Sequence, residues 1–350
     1  MRLFFFLCVV LMACTPPQQR ASLPERIEKP EYAKGFEIHH YADHSLLILL
    51  NLEKSGDTLA VIRYSPNKQA KYACQSTTHV TLIEALGLSS QITACAYADR
   101  LSDSTLLARY NSGDLINLTN GDDLDKEKLW TSGAHYFFIY PFDRLAPDFA
   151  PKDKMTTVPI SEYLEEHPLA RAEWIKVFGE LSGQSAEAYL LFNQLRDRYN
   201  SEKMKHTHQT KPSVFFGSKE GDVWFAGPGQ SYIAQLIEDA GGSYLFSDYK
   251  EPGNISLSQE EMIAKTWDID FFGAMVYQSE DPNAMQIREM TRGMEKAPTF
   301  SGKKTFFCNA ARNDFFGSAL LEPDLMLAEL GHIFQQKSSL SGARYFKMTP

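Results

Sequence analysis

The sequence predicts an α/β protein built as two α/β lobes joined by one long rigid α-helix, with an N-terminal β-hairpin extension. Three observations predict it. Short apolar segments alternate with helical stretches before residue 168, and the same alternation resumes after residue 206. Between them, Ala188, Phe192, Leu195 and Tyr199 form one apolar stripe at helical spacing. A helix from Ala186 to Lys203 would span roughly 27 Å at about 1.5 Å per residue, enough to bridge two lobes. Finally, 350 residues that are 43% hydrophobic suffice for two cores rather than one. The expected division is 1–13 leader, 14–31 tether, 32–168 first lobe, 169–205 helix start and linking helix, and 206–350 second lobe.

The first residues are different in kind. Arg2 and the apolar run Leu3 to Leu11 read as a secretory signal peptide. Leu11-Met12-Ala13-Cys14 has the form of a lipobox, so Cys14 is expected to carry lipid after cleavage. Several acyl chains on one residue anchor stably where a single chain is marginal. Thr15 to about Pro30, with Pro16, Pro17, Gln18 and Gln19, reads as a flexible tether. No apolar run reaches the roughly 18–20 residues of a spanning helix. A net charge of −9 argues against a sequence-independent grip on nucleic acid. The five cysteines include no Cys-x-x-Cys pair. Cys74 and Cys95 fall on expected strands of the first lobe, where buried free thiols are favoured and pairing stays open.

Taken in order, Phe36 to Leu50 reads as two strands around a turn at Ala42 to His44, with further strand through Thr58 to Tyr64. His39, His40 and His44 read as hairpin histidines, because alternating strand residues face opposite ways. Then come strand Tyr72–Gln75, a capped turn Ser76-Thr77-Thr78, helix His79–Leu86 closed by Gly87, and strand Gln91–Ala96. Strands at Asp114–Leu118, His135–Tyr140 and Met155–Ile160 come next, with a helix at Asp122–Trp130. Ligands collect outside the carboxyl ends of strands in open α/β sheets. That rule selects Thr77, Thr78, His79, Tyr97, Asp99, Arg100, Phe142 and Arg144 as one wall of a site.

Pro168 suits a first helical position, Gly183 stops that run, and Ser185 can cap the linking helix. Arg171 is expected to be structural. In the second lobe, strand Pro212–Gly217 leads to Asp222-Val223-Trp224-Phe225-Ala226-Gly227-Pro228-Gly229-Gln230-Ser231-Tyr232 and a helix over 233–240. Gly227-x-Gly229 is not a dinucleotide fingerprint, since Tyr232 stands where the third glycine belongs. Trp224, Phe225, Gln230, Ser231 and Tyr232 are read as the second wall, joined by Arg312, Asn313, Phe315 and Phe316 from the loop after strand Lys304–Cys308.

Several of these segments together resemble a family. They are the lipobox, His167-Pro168-Leu169-Ala170-Arg171-Ala172-Glu173-Trp174, Gln230-Ser231-Tyr232 with Glu238-Asp239-Ala240-Gly241-Gly242, and Asn313-Asp314-Phe315-Phe316 with Glu322-Pro323-Asp324. Over residues 32 to 345 the chain resembles the periplasmic binding proteins of iron-siderophore and cobalamin ABC importers, most closely lipoproteins of Bacteroidetes. The resemblance implies a helical-backbone periplasmic binding protein fold and a monomer in the periplasm, lipid-anchored. It implies capture of a ferric siderophore, haem or corrinoid between the lobes, delivery to a transmembrane permease, and no cofactor. Two departures bear on the ligand: the stretch from Trp130 to Met155 is shorter than the family pattern, and Gly317 replaces an acidic residue common there.

Aromatic side chains suit large conjugated ligands, and Arg100, Arg144 and Arg312 suit their carboxylates. A carrier of bare zinc or manganese would need several His, Asp or Glu ligands converging, for which His79, His135 and Asp314 are candidates. An enzyme reading finds no Gly-x-Ser-x-Gly, His-Glu-x-x-His or P-loop. Asp103, Asp114, Glu260 and Glu261 are candidate permease contacts.

Overall fold

A computed structural model describes residues 23–54, 56–120, 123–141, 155–206, 211–302, 304–336 and 338–349. Cys14, Phe142 and Arg144 lie outside them. The hairpin extension is an antiparallel sheet in the order Arg26–Glu28, Phe36–His40, Ser45–Leu50, Thr58–Tyr64. Leu47 and Leu49 are buried while their neighbours are partly open, the alternation expected of a sheet with one face on a core. Residues 26–28, read from composition as tether, instead form an edge strand pairing Arg26–Glu28 with His40–Ile38.

Next comes a five-stranded parallel sheet, ordered Thr156–Pro159, Tyr136–Ile139, Tyr72–Cys74, Ile92–Cys95, Ile116–Asn117. Its central strands are buried on both faces, as parallel strands covered by crossover helices must be. Cys74 and Cys95 are register partners and free thiols. Burial pushes the Cys95 thiol up to about 12.

The second sheet is mixed, ordered Ile255–Ser258, Val223–Ala226, Ser213–Glu220, Phe271–Val276, Thr305–Asn309, Lys347–Met348, with Ser243–Tyr244 beside the start of Ser213–Glu220. Its centre is parallel and both edges are antiparallel. The strand expected over Pro212–Gly217 runs on to Glu220 and turns back as a hairpin, with Val223–Ala226 its return strand.

Between the sheets, helix Pro168–Glu173 is capped by His167, whose Nδ1 accepts from Leu169 N at 3.0 Å, and Trp174 separates it from helix Ile175–Ser182. The long helix runs Ser185–Lys203 and buries Ala188, Phe192, Leu195 and Tyr199. Ser185 does not cap it: the N-cap is Gln184, without a side-chain bond. The first part of this helix meets the extension, through Tyr189 to Glu28 and Arg196 to Glu31. Its last turns meet the second sheet's helices: Tyr199 Oη donates to Asp239 Oδ2 at 2.7 Å, and Arg198 Nε to Asp324 Oδ2 at 2.7 Å.

Two buried carboxylates fix the chain against this helical spine. Glu173 accepts from the amides of Glu31, Tyr32 and Ala33 at 2.7–2.9 Å, and Glu165 accepts from Lys34 N, Gly35 N and Trp174 Nε1. Buried charge is tolerable because each carboxylate receives several N–H groups. Among the described residues, no helix is long and apolar enough to cross a membrane.

Candidate ligand-binding cleft

The carboxyl ends of the parallel strands face the second sheet across a cleft with two adjoining chambers that share Tyr163 and Tyr232. The smaller, about 540 Å³, is walled by Thr77, Thr78, Tyr97, Tyr140, Arg171 and Phe316 besides the two shared tyrosines. The larger, about 790 Å³, lies between Leu52, Glu53 and Glu166 on one side and Phe216, Phe225 and Lys250 on the other. Both fall in the size range of ligand pockets.

The floor of the smaller chamber is a hydroxyl network on a buried acid. Glu162 is fully buried, and its Oε1 accepts from Thr78 Oγ1 at 2.7 Å and Tyr140 Oη at 3.2 Å, while Ser76 Oγ lies 2.7 Å from Tyr140 Oη. Burial raises the Glu162 pKa, and the positive charge of Arg171 opposes that rise. Among the described residues, Glu162 Oε2 has no hydrogen-bond partner, and neither has Arg171 Nε. The Arg171 guanidinium sits 4.3 Å from the centroid of the Tyr232 ring, a cation–π contact reaching from one side of the cleft to the other. Burial raises the Tyr232 phenol, and Arg171 lowers it. Another direct tie is Thr77 Oγ1 donating to the Phe316 carbonyl at 3.1 Å.

Backbone strain collects at the same place. Among the described residues only Tyr97 and Asp314 are non-glycines with positive φ, at +54° and +53°. Both lie in loops bounding the smaller chamber, and strained residues of this kind cluster at ligand clamps. Tyr97 N is held by Thr119 Oγ1 at 3.0 Å, and Arg100 stacks on the Tyr97 ring at 4.9 Å. Asp314 is held by Ser318, and a Cβ at Gly317 would press on its carboxylate, so a larger residue there would have to push that side chain aside. Gly229 is likewise steric: a Cβ there would fall 2.2 Å from the Ser247 carbonyl.

The structure brings Thr77, Thr78, Tyr97, Phe225, Gln230, Ser231, Tyr232 and Phe316 to the cleft. Ser231 also caps helix Tyr232–Asp239 through Ala234 N. The other expected residues among those described do not line it. Trp224 is 0% exposed and packs on Phe215 and Phe272 with its Nε1 donating to Gln259, because strand alternation turns it away from Phe225. His79 is 0% exposed on the sheet-facing side of helix Thr77–Ala85, against Phe138 and Phe178. Burial lowers its pKa to about 3, so it stays neutral. Arg312 and Asn313 line a separate hollow of about 160 Å³ with Asp281 and Lys347, and Phe315 is buried in the core. Asp99 and Arg100 are exposed beside Tyr97 without lining either chamber.

Tyr140, Tyr163, Glu162 and Lys250 were not anticipated. Tyr140 directly follows the parallel strand Tyr136–Ile139, so the carboxyl-end rule would have found it. Arg171, expected to be structural, lines the smaller chamber. No cluster with metal-ligand spacing lies in the cleft among the described residues: His135 Nδ1 instead accepts from Lys71 N. The candidate docking acids have local duties, Asp103 capping a helix and Glu261 completing a capping box.

No known family profile matches the sequence. An uncharacterized lipoprotein of Methanocaldococcus jannaschii is 23% identical over 299 residues, 82% of this chain and 69% of that one. Among solved structures, a periplasmic binding protein from Veillonella parvula aligns with a TM-score of 0.61 at 14% identity, covering 79% of this chain and 95% of that one. The fold is that of a periplasmic binding protein. Two further structures share it. One is a periplasmic heme binding protein from Pseudomonas aeruginosa, TM-score 0.58 and 13% identity, covering 80% and 98% of the two chains. The other is an ABC-type Fe3+-hydroxamate transport system from Saccharomonospora viridis, TM-score 0.60 and 13% identity, covering 81% and 98%.

Proposed function

We propose that this chain is an extracytoplasmic, lipid-anchored binding protein of an ABC importer that captures a metal chelate (a ferric siderophore, haem or corrinoid) between its lobes and presents it to a membrane permease. The observation that carries this reading is the two-chambered cleft meeting at Tyr163 and Tyr232. Its walls carry aromatic side chains, and a ligand there can stack on Tyr97, Phe225, Tyr232 and Phe316 while an anionic edge meets the positive charge of Arg171, which lines the smaller chamber. The solved neighbours described as binding heme or Fe3+-hydroxamate support that ligand class. Cys14 would hold the anchor, and residues 14 to 25 the tether.

The proposed mode of action is capture with little motion. The long helix packs on both sides, Arg171 stacks on Tyr232, and one buried core runs from Phe36 through Phe192 to Phe334. A spine of this kind restricts closure to a few degrees rather than a wide hinge swing. No catalytic step is assigned, and the chain is read as a carrier.

The test is titration of the purified protein with haemin, a hydroxamate and a catecholate ferric siderophore, and cobalamin, read by visible absorption and fluorescence quenching. One ligand should bind saturably and lose affinity at least tenfold in Tyr232→Ala. Failure of all four to bind, or identical binding in Tyr232→Ala, would overturn the reading.

A further inference from the structure

A second chemical cluster is made of residues that line neither chamber of the cleft. Glu28 ends the edge strand Arg26–Glu28, His40 ends the strand paired with it, and Glu180 lies on helix Ile175–Ser182 beneath. One ligand atom from each falls within 4.8 Å of the other two. His39 and His40 do face opposite ways, so the hairpin histidines make no site among themselves. His40 instead meets two carboxylates from other elements.

Each of the three is held by its remaining atoms. Arg26 Nη2 lies 3.1 Å from His40 Nε2. A guanidinium has only N–H donors, so Nε2 is the acceptor in this contact. The ring proton is then on Nδ1, 3.0 Å from Ser45 Oγ, and Nε2, 3.6 Å from Glu28 Oε1, becomes available to a metal once Arg26 turns away. Glu28 accepts from Tyr189 Oη, and Glu180 Oε2 from Tyr64 Oη at 2.8 Å. Glu180 is only 4% exposed, and that phenol is its one hydrogen-bond donor among the described residues. A buried carboxylate ordinarily requires a cation or several donors. A cation of the same cluster, Arg26, pairs with Glu28 at 2.6 Å and has a 64% exposed side chain free to turn into solvent.

We propose that Glu28, His40 and Glu180 form a binding site for a divalent first-row transition-metal ion, with zinc as the natural probe, in which Arg26 holds the ligands apart from solvent until the metal displaces it. One imidazole nitrogen and two carboxylates suit a tetrahedral ion with water at the fourth position. Hydrogen bonds that orient each ligand from behind are what such sites use to fix tautomer and ring angle. Bonds of about 2.0–2.2 Å require the ligand atoms to draw together by about 1 Å, which side-chain rotation of Glu28 and His40 on a short hairpin can supply. The bound ion would staple the first strand after the tether to the spine carrying both lobes. None of the three residues lines either chamber, so the site is independent of the cargo.

The experiment is zinc titration of the purified protein in competition with a chromogenic chelator, with amide hydrogen exchange across residues 26–40. One equivalent should bind, at least tenfold more weakly in His40→Gln and Glu180→Gln and several-fold more tightly in Arg26→Ala. Zinc should slow exchange in the first two strands. Because the Arg26 side chain is mostly in solvent, Arg26→Ala keeps the test decisive if Glu180→Gln does not fold. Absence of a stoichiometric site, affinity unchanged in both His40→Gln and Arg26→Ala, or binding abolished by Tyr232→Ala would each overturn the proposal.

Discussion

The two walls of the cleft are built by different sheets, and they differ in how directly sequence maps onto position. On the parallel side, strands Tyr72–Cys74, Ile92–Cys95 and Tyr136–Ile139 all run the same way, so the segments leaving their carboxyl ends emerge at one rim. Thr77, Tyr97 and Tyr140 stand there in consequence. On the other side, an antiparallel return strand intervenes, and position depends on the two-residue alternation instead. Adjacent Trp224 and Phe225 therefore have opposite fates, one in a core and one in the cleft. A bulky aromatic beside a glycine turn is no guide to a site unless its strand face is known.

That contrast can be broken first at Trp224. Trp224→Ala should cost about 3–5 kcal/mol of stability, read as a large fall in thermal midpoint. Ligand affinity measured well below that midpoint should change less than twofold. Lost binding with unchanged stability would put Trp224 in the site after all.

His79 sharpens the same point on the parallel wall. Its folded-state pKa is near 3 against 6.5 unfolded, so below pH 6.5 the unfolded chain binds the proton and the folded chain does not. Stability is fully present above pH 6.5 and is lost as pH falls toward 3, by about 2 kcal/mol at pH 5. Glu84, raised to about 7 by burial, acts in the opposite sense, so the wild type must be compared with a variant. His79→Phe should lose less stability between pH 7 and pH 5 by about that amount; denaturant melts at the two pH values check it. Equal losses would mean the ring is not buried.

Within the cleft the effects should be smaller in energy but selective. Arg171→Gln should weaken an anionic ligand by about tenfold, about 1.4 kcal/mol, and a neutral one much less. Equal loss for both would make Arg171 a scaffold residue. Smallest of all, Arg312→Ala should leave affinity within twofold, since Arg312 faces Asp281 in a separate hollow. A marked loss would move the second wall.

Much of the fold was legible because it rests on periodicity and punctuation. The stripe Ala188, Phe192, Leu195 and Tyr199 is the buried face of the long helix, and Pro168 and Gly183 bound the helices ahead of it. The edge strand Arg26–Glu28 was not legible, because three mostly exposed residues carry no alternation and are held by pairing with Ile38–His40. The site was half legible. Glu162 and Arg171 belong to it through contacts with residues distant along the chain, Thr78 and Tyr232, and no local signal records such meetings. Phe316 reaches the cleft and Phe315 the core because the loop turns at Asp314, where a left-handed backbone sets the direction.

The central claim is that a bulky metal chelate lodges between the two sheets at the meeting point of the chambers. Anomalous diffraction at the metal edge, from crystals grown with whichever chelate binds, tests it most directly. The account predicts one strong peak between Tyr97 and Phe225, in the space bounded by Tyr163 and Tyr232. A peak elsewhere on the molecule, or a saturated complex with none in the cleft, would contradict it.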